Sequence, residues 1–106
     1  MTFDTETRVP TEKAKKYATQ LSNHWSHKLA VEEVDGVFHV TFRKDSRGAD
    51  WPGDAIVTLA PESDALVCRI KASAEGQREG LKGAVERHVD RFAFREGALT
   101  YDWQDS

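Results

Sequence analysis

Residues 29–43, LAVEEVDGVFHVTFR, decide how this chain folds. Two short runs rich in β-branched and aromatic residues flank Asp35-Gly36. An Asp-Gly pair tolerates the positive φ that a two-residue hairpin turn needs. Leu29–Val34 and Val37–Arg43 are therefore predicted to pair as a hairpin. Side chains alternate along a strand, so Phe38, Val40 and Phe42 share one face and Val37, His39 and Thr41 the other. The first set is the better core face.

Two more strands follow. KDSRGADWPG (44–53) is a loop, with Trp51 as an exposed-looking residue in it. Asp54–Ala60 reads as a strand, Pro61–Asp64 as a turn and Ala65–Ala72 as a strand with Leu66, Cys68, Ile70 and Ala72 facing the core. Upstream, Thr2–Val9 alternates like a short edge strand. Pro10-Thr11 then starts a helix, with Thr11 as N-cap and Glu12 where the helix dipole favours an anion. Its apolar stripe is Ala14, Tyr17, Ala18, Leu21 and Trp25, ending near His27–Lys28, where cations suit the dipole.

Ser73 is the expected cap of a second helix, with Glu75 close behind. Its stripe is Leu81, Ala84, Val85, His88, Val89 and Phe92. Gly76, Gly80 and Gly83 each cost about 1 kcal/mol relative to Ala in a helix interior, so the firm part is expected to begin near Leu81. Gly97 is the expected C′ residue, and Leu99–Trp103 alternates as a final strand. The order is β-α-β-β-β-β-α-β. Four consecutive strands between two helices imply an α+β fold: one two-layer domain over 1–106, an antiparallel sheet with two helices packed on one face.

Composition narrows the function. At 39% hydrophobic and 31% charged residues the chain is an ordinary globular domain. A net charge of −3 gives no overall field for nucleic acid. A single cysteine, Cys68, excludes an internal disulfide and a CxxC motif. Apolar runs such as Ala55–Ala60 are too short to span a bilayer, so no membrane is expected. MTFDTETRVP is polar and acidic, unlike a signal peptide. The cytoplasm is the expected compartment. GxSxG, phosphate-loop and GxGxxG signatures are absent.

The sharpest constellation is His24, His27 and His88. His24 and His27 are i,i+3 neighbours on a helix surface, and His88 sits in the stripe of the second helix. If the helices lie side by side, His24 and His88 meet at the seam, and three imidazoles could hold Zn²⁺ or Fe²⁺. The plainer reading is favoured, and no cofactor is expected: His88 donates to a carbonyl or to Glu96, and His27–Lys28 closes a helix. Arg87, Arg91 and Arg95 recur every four residues. They form either a guanidinium row for a phosphate or carboxylate or a solvated face paired with Glu86 and Asp90. The second is preferred for Arg87. Arg91 and Arg95 bracket Phe92 and Phe94, which stand about 200° apart on a helix. One of these rings must leave the core, or the helix must end early. An exposed Phe94 would be a subunit contact.

HWSHK at 24–28 with VE at 31–32, and RHVDRFAFRE at 87–96 followed by a short strand ending at Trp103, resemble a bacterial family, domain-of-unknown-function family 2218. The resemblance runs through essentially the whole chain. It implies a compact α+β domain, sometimes encoded beside or fused to siderophore-interacting, flavin-dependent reductases, and so suggests a role in iron acquisition. The loop RGADWPGD at 47–54 looks longer than typical members carry.

Three functional readings follow. The first is a small binding or accessory module, linked by the resemblance to iron–siderophore handling and to a siderophore-interacting reductase as partner. Its ligand residues would be His24, His27, Lys28, His88, Arg91 and Arg95. The second is an enzyme with a histidine or metal site at the helix seam. The third is a homodimer through the open sheet face, using Val37, His39, Thr41, Ile56, Val67 and Trp51. The first and third are compatible and rank above the second.

Overall fold

The computed structural model describes residues 2–45, 48–97 and 99–106. The elements are β1 (Phe3–Pro10), α1 (Ala14–Ser26), β2 (Ala30–Val34), β3 (Val37–Phe42), β4 (Ala55–Pro61), β5 (Ala65–Ala72), α2 (Glu75–Phe92) and β6 (Gln104–Asp105). The strands form one sheet in the order β2-β3-β4-β5-β1-β6, every pair antiparallel. Asp35 at φ 52° and Gly36 at φ 82° make the expected tight turn between β2 and β3.

One face of the sheet is the core. Val9, Val40, Val57, Leu59, Leu66, Cys68 and Ile70 lie on it and are buried. α1 places Ala14, Tyr17, Ala18, Leu21 and Trp25 onto this face, and α2 places Leu81, Val85 and Val89 there. Full burial of a side chain such as Leu21 contributes roughly 1.5–3 kcal/mol. The helices touch each other, with α1 over β2 to β5 and α2 over β5 and β1. The opposite face carries Arg8 paired with Glu62 and Asp64, and Arg69 paired with Glu6. It also exposes Val34 and Ile56.

Several local expectations are corrected. α1 begins at Ala14, not beside Thr11. The Thr11 hydroxyl instead accepts the Lys13 N–H at 3.1 Å and donates to Glu96, which Tyr17 also reaches. Burial, then the hydrogen bond and charge of Glu96, pushes the Tyr17 phenol up to about 12. α2 is regular from Glu75 despite its glycines, with Ala74 as the N-cap. The Gln77 side chain secures that first turn, accepting the Ser73 N–H at 2.7 Å.

α2 ends at Phe92, and a 3₁₀ turn, Phe94–Glu96, follows. Gly97, at φ 78°, closes that turn rather than the helix. The two phenylalanines part as helical geometry requires: Phe92 packs against the core and Phe94 is 70% exposed. Leu99–Trp103 is not a strand; pairing with β1 starts at Gln104. The Asp102 N–H goes to the Thr7 hydroxyl at 2.9 Å instead of a ladder partner. Tyr101 and Trp103 dock on α2, donating to Asp90 and Glu86, each at 2.8 Å.

Candidate functional site

α1 and α2 leave a groove of about 740 Å³ between them, closed at one side by the end of β3 and the loop after it. The last turn of α1 contributes His24 and Trp25, and the residues just past its end contribute His27 and Lys28. Trp25 is buried by the apolar stripe, and the residues beside it in sequence are thereby turned outward to the rim. On α2 the groove is lined by Gly76, Gly80, Ala84 and His88, each four residues apart and so on one strip of the helix. Three of these four have little or no side chain, and that leaves the groove open.

Trp51 forms a wall. Its N–H donates to the Lys44 carbonyl at 3.0 Å, and the Lys44 N–H donates to Asp54 at 2.8 Å. The Gly53 carbonyl accepts from Gln77 Nε2 at 3.0 Å and from the Ser73 hydroxyl at 2.9 Å. The loop is thus clasped to the start of α2. A Cβ at Gly76 would come within 3.0 Å of Trp51 Cη2, so glycine makes room for the indole. Trp51 lies on the helical side of the sheet, not on the open face where a dimer contact was expected.

His24 and His88 meet at the seam, ring centroids 5.3 Å apart. Trp25 supports His88 at 5.2 Å and Phe42 supports Trp25 at 5.3 Å. His88 Nδ1 lies 2.6 Å from the Ala84 carbonyl. A carbonyl only accepts, so Nδ1 carries the proton and Nε2 is left for a ligand. Desolvation pushes the His24 pKa down, and the positive charges of His88, Arg91, His27 and Lys28 act the same way.

The groove is strongly basic. Lys28, Arg43, Arg87 and Arg91 line it with the three histidines, and among the described residues no carboxylate does. Arg87 and Arg91 make no ion pair among the described residues. The acids expected to neutralise them are taken elsewhere: Glu86 accepts from Trp103 and Asp90 from Tyr101. The preferred picture of an ion-paired helix face is therefore corrected.

Over residues 6–104 the chain matches the family described as "Uncharacterized protein conserved in bacteria (DUF2218)". The chain belongs to this family. Its fold is similar to the NMR structure of PA4090 from Pseudomonas aeruginosa, at 24% identity and a TM-score of 0.73, covering 96% of this chain and 95% of that one. No curated protein matches the chain. The family assignment agrees with the resemblance carried by HWSHK and RHVDRFAFRE, and in this DUF2218 domain those two stretches face each other across the groove.

Of the expected ligand residues, His24, His27, Lys28, His88 and Arg91 gather in the groove of this DUF2218 member. Arg95 does not. It follows the end of α2, and its guanidinium lies 5.7 Å from the Phe94 ring. The three-imidazole metal set is not assembled: among the described residues no three His, Cys, Asp or Glu side chains are arranged to hold a metal. His24 and His88 converge, but His27, past the end of α1, does not complete the set. Arg43, Trp51 and Gly80 were not expected at the site. The four-residue spacing of Gly76, Gly80, Ala84 and His88 was the available signal for the groove floor. No helix of the described residues is long and apolar enough to cross a membrane.

Proposed function

We propose that this domain is a binding or accessory module that takes a small anionic ligand in the groove between α1 and α2. One observation carries this. Lys28, Arg43, Arg87, Arg91, His24, His27 and His88 surround a cavity of about 740 Å³ that no carboxylate lines among the described residues, in a chain of net charge −3. That volume is in the range of small-molecule sites. Arg43 is paired with Asp45 at 3.4 Å, but Arg87 and Arg91 make no ion pair among the described residues, and such guanidiniums recognise carboxylate or phosphate by paired N–H donors. The family resemblance, which implies that such domains are sometimes encoded beside or fused to siderophore-interacting reductases, suggests an iron chelator, or a part of one, as the ligand and such a reductase as the partner.

The test is a titration of the isotope-labelled protein with citrate, inorganic phosphate and 2-naphthoate, and with neutral 2-naphthol as control, followed by amide and imidazole NMR shifts. The expected result is that at least one anion shifts His24, His88 and Arg91 saturably, and that the shifts weaken with salt. Shifts no larger than those from naphthol would overturn the reading.

Self-association through the open face is a second reading, favoured by exposed Val34 and Ile56. Its surface is smaller than the sequence suggested, because Val67 is buried and His39 is engaged with Thr58. Sedimentation at high protein concentration tests it, and a purely monomeric species removes it.

A further inference from the structure

The groove has two unlike ends. Gly76 carries the Trp51 indole, and His88 carries the His24 ring. Twelve residues of helix separate them, about 18 Å at the helical rise. Arg87 and Arg91 belong to the histidine end. Between the ends lies Gly80, where an added Cβ would meet nothing within 4 Å.

A compact inorganic anion would satisfy the cationic end and leave the indole wall and the groove floor wet. A ligand with an aromatic body uses both. Its ring gains apolar burial and ring–ring contact at Trp51, and its acid group meets the guanidiniums. Gly80 fits the same occupant. A glycine inside a helix is unfavourable relative to alanine, and no feature of the fold requires this one. Its φ is not in the left-handed region, unlike that of Gly36 or Gly97. Gly76 makes room for Trp51 and Gly83 for the Arg87 guanidinium, but the space above Gly80 is open.

Resting on the groove reading above, we propose that the ligand is a planar aromatic acid, its ring over Gly80 against Trp51 and its acid group at Arg87, Arg91 and the His24–His88 pair.

The experiment uses the full chain and two probes, 2-naphthoate and citrate, with tryptophan emission and NMR as readouts. Naphthoate should quench emission saturably and show intermolecular NOEs from its ring protons to the Gly80 α-protons. Gly80→Leu fills the open space with a better helix former and should weaken naphthoate by about tenfold or more. If citrate binds the groove and naphthoate does not, the aromatic-acid proposal falls and the anion site stands. If naphthoate, citrate and inorganic phosphate all fail to bind, both fall. Naphthoate binding without NOEs to Gly80, or unchanged in Gly80→Leu, also overturns the proposal. The NOE experiment needs only the unaltered chain, so the test survives a variant that fails to fold.

Discussion

His24 on α1 and His88 on α2 meet across the helix seam, ring centroids 5.3 Å apart and planes tilted by 48°, and the tautomer of His88 is fixed by the Ala84 carbonyl at 2.6 Å. His24, desolvated and ringed by cations, should titrate below the ordinary imidazole value of about 6.5. An unfolded chain would then bind more protons than the native one as pH falls below that value. The stability contributed by neutral His24 is complete above about pH 6.5 and is lost as pH falls from there toward the lowered native pKa. NMR titration of the His24 ring beside urea midpoints checks this. A native pKa at or above the ordinary value contradicts it.

An anion seated at His24 reverses that shift, because it favours the imidazolium. Anion affinity should therefore rise as pH falls through the region just below about 6.5. Calorimetric titration in buffers of different ionisation enthalpy should register proton uptake on binding. Affinity that does not change with pH would show that the ligand does not sense His24.

Arg87→Gln and Arg91→Gln should each weaken anion binding by about 10- to 100-fold. That is the equivalent of one charge-assisted hydrogen bond of roughly 1.5–3 kcal/mol. Stability should stay within about 0.5 kcal/mol of the parent chain. Arg95→Gln, which alters a side chain outside the groove, should bind as the parent does. Equal losses in all three variants would point to a general charge effect instead of contact.

Gln77→Ala removes the buried amide that accepts the Ser73 N–H and donates to the Gly53 carbonyl. Stranding those backbone groups should destabilise the domain by about 1–3 kcal/mol. The tryptophan emission should shift to the red as Trp51 leaves its seat. Leu21→Ala, in the fully buried stripe of α1, should cost about 2–5 kcal/mol with no selective change at Trp51. Chemical denaturation and emission maxima separate the two effects.

The fold was legible because its signals are local and mutually consistent. Asp35-Gly36 specifies its own turn, period-two alternation fixes the inner face of β3 to β5, and the Ala14-to-Trp25 stripe fixes the inner face of α1. The errors lie where a distant side chain outbids local propensity. Thr11 turns to Glu96 instead of capping α1, and the Asp102 N–H goes to Thr7 instead of a ladder. Gln77 supports a first turn that its glycines alone would weaken. The histidine seam could be read from helical spacing on two helices expected to be neighbours. The freedom of Arg87 and Arg91 could not, because it depends on Tyr101 and Trp103 reaching Asp90 and Glu86 from the far end of the chain.

Trp103→Phe tests that dependence. Releasing Glu86 from the indole N–H should let it approach the arginines of α2. Anion affinity should fall several-fold, roughly the effect of one exposed ion pair. An unchanged affinity would show that Glu86 stays away from Arg87 and Arg91 by itself.

The C-terminal segment thus does more than lengthen the sheet. It occupies Glu86 and Asp90 beside the groove, and on another side of α2 its Asp105 pairs with Lys82 and Arg78. An acidic molecule acquires a cationic mouth because the end of its own chain sorts the charges of one helix. If that end were peeled away, the domain could keep its strands and helices and still lose its polarity.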